Sequence, residues 1–223
     1  MDLEQKFTET GGIFLTPANQ ISLLLEKTKA FVFDWDGVFN DGRKSNCTES
    51  DFSEIDSMGI NLMRFDYWLR YNRFPLIFII TGMNNQSAVE FPKTEHFDGI
   101  FINIKNKSEA IEFISSHYKI DLKEVAFVFD DVLDIEVAKL SGLSFSVGRK
   151  SNPLLTDYII LNKICNYISS CSGKNHAVRE ICELIIGLSG SYTKAVDLRI
   201  QFKGEYEDYL NKRNSIKTKL LSS

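Results

Sequence analysis

The sequence predicts an α/β protein whose open parallel sheet is covered by helices on both faces. Six short apolar runs are rich in Val, Ile and Phe and do not alternate with polar residues, which is typical of strands buried on both sides. Segments with helical spacing lie between the runs, and this alternation favours a parallel sheet with crossover helices. The runs are 30–33 (AFVF), 76–80 (LIFII), 99–102 (GIFI), 125–129 (VAFVF), 143–147 (LSFSV) and 158–161 (YIIL).

The helical segments follow from the spacing of their apolar residues. Residues 1–29 read as a polar lead-in followed by a helix with Ile21, Leu24 and Leu25 on one face. A further helix is expected over about 194–212, although Gly204 weakens its continuity. Between the runs, helical spacing involves Ile60, Met63, Trp68 and Leu69, then Ala110, Ile111, Phe113 and Ile114, and then Val132, Ile135, Val137 and Leu140.

Composition narrows the functional classes. The chain has 223 residues, 43% of them hydrophobic and 25% charged, which is ordinary for a globular protein. The formal net charge of −4 gives no general reason to expect nucleic acid or an anionic membrane as a partner. The four cysteines form no C-x-x-C pair, so free thiols are favoured over a zinc site. No apolar run approaches the ~20 residues needed to span a bilayer, and we expect a cytoplasmic protein by default.

Polar residues follow four of the apolar runs, where ligands bind in an open α/β sheet. A single Asp after a strand is usually a helix cap or turn residue, but the joint pattern argues against that interpretation. The carboxyl ends of parallel strands meet at one edge, so these residues should assemble there. They are Asp34 and Asp36 after the first run, Thr81 and Gly82 after the second, Lys105 and Lys107 after the third, and Asp130, Asp131 and Asp134 after the fourth.

Crowded carboxylates raise one another's pKa unless a cation offsets them, and Mg²⁺ prefers oxygen ligands. Asp34 and Asp130 are the predicted pair that holds such an ion. One carboxylate can then attack phosphorus and form an aspartyl-phosphate, while Asp36 protonates the leaving oxygen and later deprotonates water. Thr81 and Lys107 are candidate ligands of the phosphoryl group. The residues that let the backbone approach the phosphate closely are Gly37 and Gly82.

At this point the chain resembles the haloacid dehalogenase superfamily of phosphohydrolases. Four motifs occur in the family's order: DWDGV, ITG, a lysine that opens a helix, and DDVLD. The resemblance implies that Asp34 is the nucleophile and Asp36 the general acid and base. It implies Mg²⁺ as the cofactor, bound by Asp34, by the Asp36 backbone carbonyl and by Asp130, with Asp131 in support. Lys107 matches the motif lysine best, and Lys105 remains the alternative.

Longer stretches, including FSEIDSMGI and AVREICELI, are similar to the 3-deoxy-octulosonate 8-phosphate phosphatase branch of that superfamily. The short spacing between motifs leaves room only for a flap hairpin near 43–56, so a capless core is expected. By analogy with that branch, we expect a homo-oligomer, a tetramer, whose neighbouring subunits help to close the site. The resemblance divides the chain into an N-terminal helical extension (1–29), a phosphatase core (30–189) and a C-terminal helical tail (190–223).

Several positions depart from the family pattern and bear on substrate choice. Phe129 replaces the usual Gly before the acid pair, and Pro92 is expected to break the helix after ITG. That helix lacks the family's basic residues, whereas Arg149 and Lys150 make the loop after LSFSV basic. We therefore expect a Mg²⁺-dependent phosphomonoesterase acting on a small phosphorylated sugar or sugar acid. The alternatives are a catalytically weak or inactive scaffold of the same fold, and a phosphotransferase with an acceptor other than water.

Overall fold

The computed structural model describes residues 2–42 and 52–222. The strands within these ranges are β1 (Ile13–Phe14), β2 (Ala30–Asp34), β3 (Leu76–Ile80), β4 (Gly99–Ile102), β5 (Val125–Phe129), β6 (Leu143–Ser146), β7 (Tyr167–Ile168) and β8 (Lys219–Ser222). The α-helices there are α1 (Leu3–Glu9), α2 (Ala18–Leu25), α3 (Glu54–Tyr71), α4 (Gln86–Thr94), α5 (Lys107–Tyr118), α6 (Ile135–Leu140), α7 (Pro153–Leu161), α8 (Ala177–Leu188), α9 (Tyr192–Gln201) and α10 (Glu205–Arg213).

One sheet contains all the described strands, in the order β1-β7-β6-β5-β2-β3-β4-β8. Every neighbouring pair is parallel except β1 and β7, which are antiparallel. From the central strand β2 the chain continues to β3 and β4 on one side, then returns to β5 and β6 on the other. The carboxyl ends of β2 and β5 therefore flank the point where the strand order reverses, which is where open α/β sheets bind their ligands.

The side chains of β2 show why the apolar runs do not alternate with polar residues. Phe31 and Phe33 enter the core on one face of the sheet, whereas Ala30 and Val32 enter the core on the other face. Helices α2, α3 and α8 contribute to the first core, and α5, α6 and α7 contribute to the second. The predicted α/β class with helices on both faces is thus confirmed.

The prediction of a strand at 158–161 was wrong, because this run lies inside helix α7. Asn152 and Pro153 precede the run, and proline at the first helical position favours a helix start. Only Ile159 of this helix is buried, while Leu154 and Leu161 are more than four-fifths exposed. Four apolar residues alone do not distinguish a buried strand from a helix segment.

Both chain ends join the sheet. The predicted helix near Ile21 and Leu25 is present as α2, but the lead-in before it also forms α1 and strand β1. The tail forms two helices rather than the single helix expected, because the backbone turns left-handed at Phe202 and Gly204. Strand β8 then pairs with β4 at the other edge. The division into three segments stays a prediction.

Two smaller expectations concern α4 and the flap. The prediction that Pro92 breaks the helix was wrong, because α4 continues to Thr94. Pro92 lies two residues before the end of α4, so the backbone hydrogen bond that proline cannot donate is missing only near the end of the helix. The predicted hairpin at 43–56 lies largely outside the described residues, and its last residues, from Glu54 on, form the first turn of α3. No helix among the described residues is long and apolar enough to cross a bilayer.

The tail packs against α3 through Tyr209, and this contact gives a stability prediction. Tyr209 is fully buried against Phe65, Trp68 and Phe74. Tyr209→Ala should lower the free energy of unfolding in urea by about 3–5 kcal/mol, the usual cost of emptying a large aromatic site. Ile200→Ala is the control because this side chain is 73% exposed. Equal unfolding midpoints for both variants would contradict the packing of α10 on α3.

Candidate active site

Neighbouring strands deliver the acids to one edge of the sheet. Asp34 is the last residue of β2, and Asp130 directly follows β5, which pairs with β2. A single 3₁₀ turn, Val132–Asp134, then carries Asp134 back toward the same point. All three carboxyl groups are buried.

An open cavity of about 490 Å³ lies above these acids. Its walls come from the segments that follow β2, β3, β4, β5 and β6. The lining residues are Asp34, Asp36, Asp41, Gly42, Gly82, Met83, Ile104, Lys105, Lys107, Asp130, Asp131, Leu133, Asp134 and Arg149.

Lys107 binds two of the buried acids at once. As the first residue of α5, it places Nζ 2.7 Å from Asp34 Oδ1 and 2.5 Å from Asp134 Oδ1. Burial alone would lower the pKa of Lys107, but the two carboxylates raise it above its ordinary value. Its ammonium group is therefore a fixed positive charge. Lys105, the alternative lysine, is exposed on the cavity wall. The lysine that contacts Asp34 is Lys107.

The carboxyl groups of Asp34, Asp130 and Asp134 form a group that can hold a metal ion. One oxygen of each lies within 4.8 Å of the others. Burial, followed by repulsion from Asp134, raises the pKa of Asp34 well above its ordinary value, and burial likewise raises the pKa of Asp134. A bound cation would offset both effects, and an all-oxygen donor set suits Mg²⁺.

Asp130 pairs with a different cation of the site, Arg149, on the loop after β6. Arg149 Nη2 lies 2.6 Å from Asp130 Oδ2 and 3.4 Å from the carbonyl oxygen of Gly37. Burial raises the pKa of Asp130 to about 6, although the guanidinium acts in the opposite direction. Arg149 therefore belongs to the site, whereas Lys150 is exposed and does not line the cavity.

The loop after β2 is shaped by Asn40 and Gly37. Asn40 is buried; its Oδ1 accepts hydrogen bonds from the backbone N–H groups of Gly37 and Gly42, and its Nδ2 donates to the Trp35 carbonyl. Trp35 is fully buried and stacks on Phe39 with ring centroids 4.9 Å apart. These contacts turn the chain sharply between Asp34 and the cavity wall.

Gly37 leaves room for the pair formed by Asp130 and Arg149. Its φ of +89° is left-handed, and a Cβ atom there would lie 1.9 Å from Asp130 Oδ2 and 2.5 Å from Arg149 Nη2. Gly37→Ala should therefore displace Asp130 and lower kcat/KM about 10²-fold, as expected for an ångström-scale misplacement in a catalytic site. Gly190→Ala is the matched control, because this glycine also has a left-handed φ of +74°, but no neighbouring atom among the described residues lies within 4 Å of a Cβ atom there. Comparable losses in both variants would contradict this role of Gly37.

The remaining predicted residues lie at the same edge with different exposure. Asp36 and Gly82 line the cavity. Asp131 lines it too; its side chain is exposed and caps the following turn by accepting from the Val132 N–H. Thr81 is fully buried beneath Gly82, and its Oγ1 accepts a hydrogen bond from the Met83 N–H at 3.3 Å. The catalytic and binding roles of these residues stay predictions.

Sequence reasoning gave too little weight to Asp134, Arg149 and Asn40. The spacing between Asp130 and Asp134 in DDVLD was the available signal for Asp134, since one turn brings residues four apart onto one side. No local pattern indicates that Arg149 reaches Asp130. Phe129, which replaces the family's usual Gly before the acid pair, does not crowd the cavity, because its ring is buried in the core and stacks on Phe127.

No protein-family profile matches the chain. The chain is similar in sequence to 3-deoxy-D-manno-octulosonate 8-phosphate phosphatase from Escherichia coli K12, with 27% identity over 175 residues that cover 76% of this chain and 85% of the relative. The enzyme from Salmonella typhimurium is 28% identical over 174 residues, with the same coverage.

The fold is similar to solved structures of the same enzyme. The Moraxella catarrhalis phosphatase, crystallised with a magnesium ion, a phosphate ion and KDO, has a TM-score of 0.66 and 25% identity, covering 81% of this chain and 98% of its own. The cobalt-bound enzyme from Haemophilus influenzae has a TM-score of 0.63 at 19% identity, covering 76% and 93%, and supports the fold alone. The resemblance to phosphatases of the haloacid dehalogenase superfamily is thus confirmed, and these relatives indicate a phosphatase.

Proposed function

We propose that this phosphatase is a Mg²⁺-dependent phosphomonoester hydrolase that acts through an aspartyl-phosphate on a small phosphorylated sugar or sugar acid. The observation that carries the proposal is the group formed by Asp34, Asp130 and Asp134 at the strand reversal, with Lys107 bound to two of its members. Supporting it, the Moraxella relative was crystallised with magnesium, phosphate and KDO.

Asp34 is the nucleophile in this proposal. A carboxylate oxygen of Asp34 attacks phosphorus as the bond to the leaving oxygen breaks, and Asp36 gives its proton to that oxygen. In the second step Asp36 takes a proton from water, whose oxygen attacks phosphorus and displaces the Asp34 carboxylate. Inorganic phosphate is released, and both side chains return to their starting states.

Lys107 and the buried acids prepare Asp34 for this reaction. Burial favours the protonated carboxyl group, which cannot attack, whereas the Lys107 ammonium favours the carboxylate. Asp34, Asp130 and the Asp36 backbone carbonyl would hold Mg²⁺, with Asp131 in support, while Asp134, the third carboxylate of the group, binds Lys107. When bound, the ion would neutralise part of the charge on the transferring phosphoryl group. The Lys107 charge and the backbone at Gly37 and Gly82 would bind phosphoryl oxygens as well.

The alternative of an inactive scaffold is motivated by Phe129 and by the lack of basic residues in the helix after Thr81. The burial of Phe129 in the core removes the first of these two reasons. The decisive experiment is a screen of phosphorylated sugars and sugar acids, including 3-deoxy-D-manno-octulosonate 8-phosphate, with and without MgCl₂. We expect phosphate release that requires Mg²⁺ and is lost with EDTA. Absence of turnover of every ester at saturating Mg²⁺ would contradict the proposal.

Sedimentation analysis would test the expected homo-oligomer separately.

A further inference from the structure

Arg149 is a cation at the cavity that the four motifs do not account for. It lies on the loop after β6, three residues beyond the end of that strand, and lines the cavity together with Asp34 and Lys107. The Arg149 side chain is 27% exposed. The Lys107 side chain is 10% exposed and is already paired with the carboxylates of Asp34 and Asp134. Arg149 therefore faces the space where a substrate would lie.

Within the described ranges, the hydrogen bonds of Arg149 involve one of its three side-chain nitrogens, Nη2. Nη2 donates to Asp130 Oδ2 and to the Gly37 carbonyl. Among the described residues, no partner is found for Nε or Nη1, so three of the five N–H donors of the guanidinium are available. The anchored Nη2 fixes the position of the group, and a planar guanidinium with donors to spare suits a phosphate or carboxylate.

The anchor itself depends on a close approach of three segments. A side chain at Gly37 would overlap both Asp130 Oδ2 and Arg149 Nη2, so the glycine after the acid pair makes room for this cation as well. The neighbouring Lys150 is exposed, does not line the cavity and has no ion pair among the described residues. The basic character of this loop thus reaches the site through Arg149 alone.

We propose that Arg149 binds an oxyanion of the substrate, supplementing Lys107 as a cation of this site; the inference rests on the proposed phosphatase function. The oxyanion belongs to the phosphoryl group or to a carboxylate on the leaving group. Arg149 would be a substrate-binding residue, and the loop after β6 would help to determine which phosphate esters are accepted.

The test uses the full chain and the variants Arg149→Met, Arg149→Lys and Lys150→Met at saturating MgCl₂. Two esters are compared, glucose 6-phosphate and 6-phosphogluconate, or the neutral and acidic esters that the wild type hydrolyses best. Calorimetry measures the Kd of inorganic phosphate, and a separate titration measures the Kd of Mg²⁺. Arg149→Met should lower kcat/KM about 10- to 100-fold, as expected for the loss of one or two charge-assisted hydrogen bonds. Arg149→Lys should recover part of the loss, and Lys150→Met should match the wild type.

The two sources of the oxyanion give different patterns. If Arg149 binds the phosphoryl group, Arg149→Met loses activity equally on both esters and its Kd for phosphate rises by a similar factor. If it binds a carboxylate, the loss is confined to the acidic ester and the Kd for phosphate is unchanged.

Wild-type values of kcat/KM and of the phosphate Kd in Arg149→Met would overturn the inference. So would a raised Kd for Mg²⁺ in Arg149→Met together with a loss of activity that disappears once MgCl₂ also saturates the variant, because Arg149 would then only orient Asp130. A wild type without activity on any ester would contradict the proposed function instead, and the phosphate titration would still test Arg149. If Arg149→Met does not fold, Arg149→Lys takes its place in the test. Lysine keeps the positive charge, but one ammonium group cannot replace the planar guanidinium, so part of the loss of activity should remain.

Discussion

Asp34→Asn is expected to lower Mg²⁺-dependent phosphate release by about 10⁴-fold or more, the scale on which loss of a nucleophile acts. The amide has nearly the shape of the carboxylate but is not nucleophilic. The fold should persist, because burial and the Asp134 charge raise the pKa of Asp34 and so make its ionised form costly in the folded protein. The neutral amide removes that cost, and Lys107 keeps its ion pair with Asp134, so the melting temperature at pH 7 without Mg²⁺ should not fall.

Asp131→Asn provides the matched control for this prediction. It makes the same chemical change in an acid of the same cavity that is exposed and lies outside the group formed by Asp34, Asp130 and Asp134. A loss of about 10- to 100-fold is expected, the usual cost of changing a residue that supports metal ligands, which is far smaller than the loss for Asp34→Asn. Asp34→Asn with undiminished turnover would remove the basis for nucleophilic catalysis by this residue.

Lys107→Met should have the second largest effect, lowering kcat about 10³-fold, the upper end of the usual cost of removing one group that stabilises transition-state charge, and destabilising the protein. The variant leaves the Asp34 and Asp134 carboxyl groups buried without their shared cation. Breaking a buried ion pair by removing one partner costs about 3–5 kcal/mol of folding free energy. Lys105→Met removes an exposed cation from the same cavity wall and should change stability little.

The destabilisation by Lys107→Met should depend on pH with a defined sign. Burial raises the pKa of Asp34 and Asp134 in the folded protein, and loss of the ammonium raises both further. An acid whose folded pKa is raised loses stability as pH rises through that pKa, because its ionised form is the costly one. Urea unfolding should therefore show a larger difference from the wild type at pH 8 than at pH 5. A difference that grows toward pH 5 would contradict the arrangement of these three side chains.

The central strands were predictable because burial on both faces leaves a strong sequence signal. The runs at 76–80, 99–102 and 125–129 match β3, β4 and β5 residue for residue. The strand predicted at 158–161 was wrong because helix α7 is also apolar. The strand that follows it along the chain, β7, consists of Tyr167 and Ile168 and was not predicted. Strands of two residues carry too few positions to show a period.

The site was predictable to the extent that strand ends determine it. Asp34 and Asp130 follow from adjacent strands, and Lys107 follows from the start of α5. The contact between Arg149 and Asp130 was not predictable, because it depends on the path of a loop and on the missing Cβ of Gly37. Such contacts are tertiary and leave no periodicity in the sequence.

In the proposed mechanism, Asp34 carries the phosphoryl group during turnover. The most direct test mixes the wild type with a rapidly hydrolysed ester and MgCl₂, quenches in acid within one turnover and reduces with borohydride, which converts an aspartyl-phosphate to an alcohol. Peptide mass spectrometry should then find the reduced side chain at position 34, and not when EDTA replaces MgCl₂. Rapid turnover with a reduced side chain at another residue, or at no residue, would contradict the role of Asp34 as the nucleophile.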